Sequence, residues 1–213
     1  MTTQDEKKIT KIGNPAKPQG DEGAQMLQRM NQSHSSVTQW ALSHFDYNEK
    51  DRALDIGCGG GNTIRLLSEQ VCHVSGIDYS SVSVQESLSY NADLVKQGMV
   101  SVRQGNVEDL PFSDGVFDKI TTVESFYFWP NPQENLKEVY RVLKAGGTFL
   151  MVCDTYKKDN LSQEVLDNIE QYHLFVTDPE GYVQLFKNAG FTDVVAHLKE
   201  GTDWICVEGK KAV

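Results

Sequence analysis

The hydrophobic positions of this chain change their spacing along its length. Residues 1 to 20 are polar, carry two glycines and two prolines, and show almost no apolar pattern, which predicts a flexible N-terminal arm over 1–20. From residue 21 apolar residues recur at spacings of three and four, and this spacing predicts one or two helices that end near Phe45. The arm and the helices together precede the main body of the fold.

In the middle of the chain, short apolar runs alternate with helical stretches. The predicted strands cover residues 52–56, 73–77, 100–103, 117–123 and 148–153, and the predicted helices between them cover 63–69, 80–96 and 133–143. Strands that alternate with helices are typical of βαβ units. The pattern therefore predicts an α/β fold with a parallel sheet and helices on both faces.

The C-terminal part follows a different pattern. Asp178 and Pro179 have the residue types of a helix start, and Gly190 has that of a helix end. Two strands follow, over 192–198 and 204–208, and only a few residues join them. Because so short a link cannot hold a parallel crossover, the last strand is expected to run antiparallel to its neighbour.

Composition and charge narrow the class of protein. A chain of 213 residues fits one domain, expected over 21–213, and thirty acidic against twenty basic residues give a net charge of −10. This acidity argues against a nucleic-acid partner, which would require basic patches. The chain shows no secretory signal and no apolar run long enough for a membrane span, so a cytoplasmic protein, either monomer or homodimer, is expected.

The four cysteines do not suggest a metal site or a disulfide framework. Cys58, Cys72, Cys153 and Cys206 lie far apart and form no CxxC pair. Cys58 lies inside a glycine-rich turn, where a small packed side chain is expected rather than a nucleophile.

That glycine-rich turn follows the first predicted strand, in the run Asp55-Ile56-Gly57-Cys58-Gly59-Gly60-Gly61. Its alternate glycines let the backbone turn sharply and approach a ligand closely, and the helix that follows offers free amide donors. Dinucleotide dehydrogenases carry a glycine turn too, but they usually have an apolar residue where this chain has Asp55, and they require a glycine where it has Asn62. The carboxylate of Asp55 suits a ligand with a positive charge, such as an α-amino group.

Further candidate ligand contacts follow the second and third strands. Asp78, about twenty residues beyond the glycines, is placed to accept both hydroxyls of an adenosine ribose, and Tyr79 can cover one face of the adenine. The side chain of Asn106 can bond the adenine amino group and the backbone amide of Val107 a ring nitrogen. The alternative for Asn106 is an ordinary loop with an Asx turn.

Together these residues resemble the class I S-adenosylmethionine-dependent methyltransferase family, in particular its small-molecule subgroup with ubiquinone- and sterol-type enzymes. The matching segments, in order within residues 50–155, are 53–61, 76–78, 106–112, 117–120 and 141–147. The resemblance implies a Rossmann-like three-layer sandwich, whose seven-stranded sheet is mostly parallel with an antiparallel last strand. It also implies a helical lid over 21–46 and a cofactor-binding core over 50–155.

The resemblance further implies a cofactor, S-adenosylmethionine, and the residues that hold it. The glycine turn with Asp55 would hold the methionine part, Asp78 the ribose, and Asn106 with Val107 the adenine, while Glu124 would lie near the sulfonium and the acceptor. Many relatives carry Asp where this chain has Asn106. The implied activity is methyl transfer to a small molecule. The alternatives are a regulatory protein that binds the cofactor without turnover, and a nicotinamide oxidoreductase, which Asp55 and the glycine spacing disfavour.

Four consecutive aromatic residues, 126–129, follow the fourth strand and are candidates for the acceptor site. They cannot all face the core, and aromatic faces suit both an apolar acceptor and a cationic sulfonium. Tyr127 and Trp129 are the expected cleft residues. In the alternative, Phe126 and Phe128 pack inward and Trp129 braces the next helix.

Two residues are candidate general bases. His34 shares an apolar helical face with neighbouring residues, and it is either a base with a pKa near neutrality or a structural residue. Trp40 lies about one turn further along the helix and is another candidate contact for the acceptor. Glu124 is an acid–base residue, a cofactor anchor or a local backbone cap. Residues 157–177 are expected to form the far wall of the pocket or to cover the sheet.

Overall fold

The computed structural model describes residues 3–213, which divide into two compact units, one through Asn106 and one from Val107. The helices of the first unit are α1 (Thr3–Gly13), α2 (Gly20–Ser33), α3 (Ser35–Leu42), α4 (Asn62–Leu67), α5 (Ser81–Tyr90) and α6 (Ala92–Lys96), and its strands are β1 (Arg52–Ile56), β2 (His73–Asp78) and β3 (Val100–Gln104). The second unit contains β4 (Phe117–Val123), a 3-10 turn (Phe126–Phe128), α7 (Pro132–Val142), β5 (Leu143–Cys153), α8 (Gln163–Tyr172), α9 (Pro179–Asn188), β6 (Thr192–Leu198) and β7 (Ile205–Lys210). The seven strands form one sheet in the order β3-β2-β1-β4-β5-β7-β6.

In the first unit, three parallel strands bring the predicted ligand residues to one edge. β2 lies between β1 and β3, with Asp55 opposite Gly76 and Asp78 opposite Gln104. β1 is buried from its second residue onward, as expected for a parallel strand covered on both faces. Both acidic residues therefore lie at the carboxyl ends of their strands, where open α/β sheets bind ligands.

The N-terminal arm differs from the prediction. Residues 3–13 form helix α1, which packs closely on α2. The backbones approach so closely that a Cβ on Gly13 would lie only 2.9 Å from the backbone oxygen of Glu22. Arg29 of α2 also donates to the backbone oxygen of Glu6 at 3.2 Å. Packing against a neighbour stabilises this helix, and such packing leaves little trace in a polar sequence. Residues 1 and 2 of the predicted arm lie outside the described part of the chain.

Two predicted helical stretches each form two helices in the structure, which the sequence analysis allowed for the first stretch but not for the second. The helical stretch after residue 21 breaks at His34, which separates α2 from α3. The stretch over 80–96 breaks at Asn91, whose side-chain amide donates to the backbone oxygen of Gly61 at 3.0 Å. This second break has a tertiary cause, since the side chain of Asn91 binds the backbone of the glycine turn.

In the second unit, the predicted antiparallel final strand is confirmed. β4 and β5 are parallel, while β7 runs antiparallel to β5 on one side and to β6 on the other. The predicted fold class, a mostly parallel seven-stranded sheet with helices, is thereby confirmed. Phe149 of β5 stacks on Phe186 of α9, with 5.2 Å between the ring centroids.

The segment over 157–177 contains a helix that the sequence analysis did not predict. Ser162 caps α8 by accepting a hydrogen bond from the Val165 amide at 3.3 Å. α8 has no buried residue. Among residues 3–213, no helix has the length and apolar character needed to cross a membrane.

Candidate functional site

The glycine turn after β1 requires glycine at three positions. Gly57, Gly59 and Gly61 have φ angles of 70°, 49° and 86°, in the left-handed region that side-chain-bearing residues rarely adopt. The amides of Gly57 and Cys58 both donate to the backbone oxygen of Ile77, at 2.8 and 3.1 Å. These bonds tie the turn to the end of β2, directly beside Asp78.

Asp78 is buried and already accepts two backbone hydrogen bonds. Its Oδ2 accepts from the Gly59 amide at 3.0 Å and its Oδ1 from the Ser80 amide at 2.9 Å. Burial raises the pKa of Asp78, and the hydrogen bonds from Ser80 and Gly59 partly offset that rise. Each carboxylate oxygen can accept two hydrogen bonds, so Asp78 keeps acceptor capacity for a ligand even with the Ser83 side chain as a third donor. This geometry fits the pair of hydroxyls on a ribose.

Asp55 and Cys58 lie deeper in the same region. Asp55 is 1% exposed. Burial raises the pKa of the Cys58 thiol well above its ordinary value, and the negative charges of Asp78 and Asp55 raise it further. The sulfur also packs closely, since a Cβ on Gly76 would lie 3.2 Å from it. Cys58 is therefore a neutral, packed thiol.

Tyr79 contacts the N-terminal segment that joins α1 to α2. Its hydroxyl donates to the backbone oxygen of Ala16, and the amine of Lys17 lies 5.3 Å from the centroid of its ring. Ser80, which caps α5, donates to the backbone oxygen of Pro18 at 2.5 Å. Sequence reasoning missed this contact because the segment has no apolar pattern.

Helix α2 covers the glycine turn itself. The side-chain amide of Asn31 donates to the backbone oxygen of Gly60 at 2.9 Å. A Cβ on Gly59 would lie 3.4 Å from the side chain of Leu27. The part of the chain expected to act as a lid thus lies directly on the expected cofactor turn.

The two other candidates from this region lie beyond that contact. His34 is half-buried at the junction of α2 and α3, where its amide donates to the Met30 oxygen and its oxygen accepts from the Thr38 amide, both at 3.0 Å. Trp40 is half-buried in α3 and contacts the ring of His44 edge to face at 5.3 Å.

The loop after β3 begins beside Asp78. The amide of Gly105 donates to the backbone oxygen of Asp78 at 3.0 Å. Asn106 is exposed and Val107 is buried. A position next to the expected ribose acceptor is compatible with the role in adenine binding predicted for this loop.

In the second unit, Glu124 has an unusual backbone and an unusual carboxyl group. Its φ of 52° is rare for a residue with a side chain and is typical of functional sites. Tyr127 donates to its Oε2 at 3.1 Å, while Oε1 is buried and forms no hydrogen bond within the described residues. Burial raises the pKa of Glu124 well above its ordinary value, and the nearby charge of Asp154 adds to the rise.

The aromatic run after β4 divides into core and site residues. Phe126 is fully buried, and Trp129, with 6% exposure, packs on Phe126 at 4.8 Å and on Phe149 at 6.5 Å. Tyr127 and Phe128 are half-buried. The expectation that Trp129 lines a cleft is therefore wrong, because this ring completes the aromatic core, whereas Tyr127 lies beside Glu124.

No metal cluster accompanies these residues in the described range. Over residues 3–213, no three or more His, Cys, Asp or Glu side chains are arranged to hold a metal ion. The candidate residues are thus carboxyl groups, backbone amides and aromatic rings.

Comparison with known proteins identifies relatives of the region that carries the site. Residues 54–151 match the family described as a methyltransferase domain. The chain is 34% identical over 150 residues to the chloroplastic 2-methyl-6-phytyl-1,4-hydroquinone methyltransferase 2 of Oryza sativa subsp. japonica, covering 70% of this chain and 41% of the relative. It is 29% identical over 144 residues to a sarcosine/dimethylglycine N-methyltransferase of Halorhodospira halochloris, covering 66% of this chain and 51% of the relative.

A solved structure shares the fold at low sequence identity. A phosphoethanolamine N-methyltransferase 2 of Haemonchus contortus, in complex with phosphomonomethylethanolamine and S-adenosylhomocysteine, aligns with a TM-score of 0.77 and 16% identity, over 89% of this chain and 58% of that one. The chain spans about half the length of the two curated relatives described above.

Proposed function

Because the chain belongs to the class I S-adenosylmethionine-dependent methyltransferase family through residues 54–151, we propose that it transfers a methyl group to a small-molecule acceptor. The observation that carries the proposal is the joint geometry of Asp78 and the glycine turn, in which the turn's Gly59 amide orients the Asp78 carboxylate and the carboxylate keeps acceptor capacity for a ligand. The methyl donor is S-adenosylmethionine, which supplies an electrophilic methyl group on a sulfonium.

Residues that follow or end β1, β2 and β3 bind the donor. Asp55 attracts its α-amino group, and the three glycines let the backbone approach its methionine part. Asp78 accepts the two ribose hydroxyls, and the ring of Tyr79 covers the adenine. Asn106 and the backbone amide of Val107 form hydrogen bonds with the edge of the adenine. The loop that carries them follows β3 and begins beside Asp78.

The N-terminal helices exclude water from this site. Methyl transfer demands that the reacting groups be oriented and shielded from solvent. Asn31 and Leu27 of α2 lie on the glycine turn, and the Ala16–Pro18 segment lies on Tyr79 and Ser80. This cover supports a role for α1 and α2 as the lid of the donor site.

The acceptor is a small molecule that contacts Glu124 and Tyr127. His34 and Trp40 are further candidate contacts, and a base role for His34 is part of the proposal. The named relatives methylate chemically different compounds, a hydroquinone in one case and the amines sarcosine and dimethylglycine in the other. Sequence similarity to these relatives therefore supports methyl transfer but does not identify the acceptor.

Calorimetry tests the donor site. S-adenosylhomocysteine is expected to bind and NAD is expected not to bind. Asp78→Asn should weaken the binding of S-adenosylhomocysteine by at least ~1.4 kcal/mol, a tenfold change, because one amide oxygen cannot serve both the backbone amides and the ribose. The matched control is Asp93→Asn, which removes an exposed carboxylate paired with Arg65 and should leave the affinity unchanged.

Two results would contradict this proposal. Binding of NAD in preference to S-adenosylhomocysteine would favour an oxidoreductase. An unchanged affinity of Asp78→Asn for S-adenosylhomocysteine would show that Asp78 does not bind the ribose. Transfer of a labelled methyl group to members of a metabolite panel separates an enzyme from a regulatory protein that only binds the donor.

A further inference from the structure

Five residues of the second unit form a polar group that we call the Glu124 cluster: Glu124, Tyr127, Asp154, Thr155 and Tyr182. Glu124 directly follows β4, and Asp154 with Thr155 directly follows β5. β4 and β5 are parallel neighbours whose last pair is Val123 with Val152, so these residues share the carboxyl end of the two strands. Tyr182 comes from α9 and contacts Phe126 edge to face at 5.9 Å.

Three buried oxygens of the cluster have unmet hydrogen-bonding capacity. Within the described residues, Glu124 Oε1, Thr155 Oγ1 and the Tyr182 hydroxyl form no hydrogen bond of normal geometry, although the Thr177 backbone lies near that hydroxyl. Thr155 is 8% exposed and Tyr182 is fully buried. Leaving buried polar atoms unpaired costs about 1–3 kcal/mol each, so a group of three suggests a ligand that pairs with them.

The cluster contains two carboxyl groups, those of Glu124 and Asp154, which lie close enough for the charge of one to act on the other. Burial and the charge of Asp154 raise the pKa of Glu124, and the hydrogen bond from Tyr127 only partly offsets that rise. Burial raises the pKa of the Tyr182 hydroxyl and of the Cys153 thiol, and the charge of Glu124 adds to both rises. Lys158, the basic residue four positions after Asp154, is paired with Asp203.

We propose that the Glu124 cluster binds the ammonium group of an amine that is the methyl acceptor. An ammonium group carries several N–H donors, which match the unpaired oxygens of Glu124, Thr155 and Tyr182. Its positive charge compensates the two carboxyl groups, and the aromatic rings of Tyr127 and Tyr182 favour a cation over a neutral group. This inference rests on the proposed methyl transfer for the fate of the amine, but the binding itself does not depend on it.

Glu124 then has a chemical role as well. An ammonium nitrogen must lose a proton before it can act as a nucleophile, because its lone pair is otherwise held in an N–H bond. The carboxylate of Glu124 accepts that proton: the N–H bond breaks, its electron pair stays on nitrogen, and an O–H bond forms. A carboxyl whose pKa is raised by burial is a stronger base than an exposed one.

Calorimetry on the full chain with 2-phenylethylamine and its neutral counterpart 2-phenylethanol tests the inference. The amine should bind at least about tenfold more tightly than the alcohol. Glu124→Gln keeps the size and the Tyr127 hydrogen bond, and it should weaken amine binding at least about tenfold while leaving alcohol binding unchanged. The control Glu134→Gln, at an exposed carboxylate paired with Lys137 on α7, should leave both affinities unchanged.

Three results would overturn the inference: equal binding of amine and alcohol by the unmodified protein, an unchanged amine affinity in Glu124→Gln, or tighter binding of hydroquinone than of the amine. The first and third require no variant, so a folding defect cannot obscure them. The outcome is separable from that of the donor site. If S-adenosylhomocysteine binds and the amine preference is absent, only this inference fails; if the amine preference is present without S-adenosylhomocysteine binding, only the proposed function fails.

Discussion

Asp78 and Glu124 are both buried carboxyl groups at strand ends, yet their surroundings differ in a way that suits different tasks. Asp78 accepts two backbone amides, which favour its charged form and hold it in one orientation. Glu124 accepts one side-chain hydroxyl and faces the negative charge of Asp154, which favours its protonated form. Asp78 is therefore a fixed acceptor, whereas Glu124 is a group that can exchange a proton.

The raised pKa of Glu124 predicts how stability depends on pH. The folded state holds this proton more tightly than the unfolded chain, so the stabilisation present below the ordinary pKa of 4.5 is lost as the pH rises through the folded pKa. Between pH 4 and pH 7.5, the free energy of unfolding of Glu124→Gln should therefore rise relative to that of the unmodified protein. We expect the gain to grow steadily with pH across this range, because more of the Glu124 carboxyl must ionise in the unmodified folded protein as the pH rises.

Urea denaturation at both pH values measures this difference. Asp154, Tyr127, Cys153 and Tyr182 interact electrostatically with Glu124 and are unchanged in the variant, so the comparison isolates the removal of the Glu124 carboxyl. Glu134→Gln should show no such relative gain. A difference between Glu124→Gln and the unmodified protein that stays constant with pH would mean that Glu124 is ionised normally in the folded state.

At the scale of elements, the contact between α2 and the glycine turn decides how the donor site is covered. Gly60 is the contact point, because a Cβ at this position would lie 2.5 Å from Asn31 Oδ1. Gly60 differs from its neighbours Gly59 and Gly61, since its φ lies outside the left-handed region. Its glycine is thus required by the approach of α2 and not by the turn itself.

A double-mutant cycle tests this contact. Gly60→Ala should displace the side chain of Asn31 and break its hydrogen bond to the Gly60 oxygen, at a cost of about 1 kcal/mol. In an Asn31→Ala background the same change should be neutral or stabilising, because the extra methyl then only restricts the unfolded chain. Chemical denaturation should give a coupling energy of at least ~0.5 kcal/mol, and additive effects would show that α2 does not rest on the turn.

At the scale of the whole molecule, the reactivity of the four cysteine thiols measures whether the native packing around them is intact. Cys58, Cys153 and Cys206 are buried, and burial raises the pKa of each, while Cys72 is exposed. A buried thiol is protected from reagents and is poorly ionised, so it reacts slowly. Cys72 is therefore the accessible thiol among residues 3–213.

Titration with Ellman's reagent should show one fast-reacting thiol in the native protein and four in denaturant. Cys72→Ser should remove the fast phase and leave three thiols that react only on unfolding. Two or more fast thiols in the native protein would show that one of the buried strand ends or the glycine turn is open to solvent.

The sequence determined by itself the alternation of strands and helices, the antiparallel final strand and the position of the glycine turn. These features depend on local rules: the spacing of apolar residues, the short link around Gly201 and the need for glycine where φ is positive. Asp78 could be located by the same local rules, because the apolar run of the second strand ends directly before it.

Only the tertiary structure decided which side chains meet. The break at Asn91, the helix over 3–13 and the contact of Ala16 with Tyr79 all arise from packing between segments distant in sequence, and such packing overrides local propensity. In the same way, the burial of Trp129 against Phe149 and the unpaired oxygen of Glu124 depend on neighbours that no single stretch of sequence specifies. Local sequence patterns therefore predict the fold and the glycine turn. The contacts of the lid and the surroundings of Glu124 cannot be predicted in this way, because they form between segments that are distant in sequence.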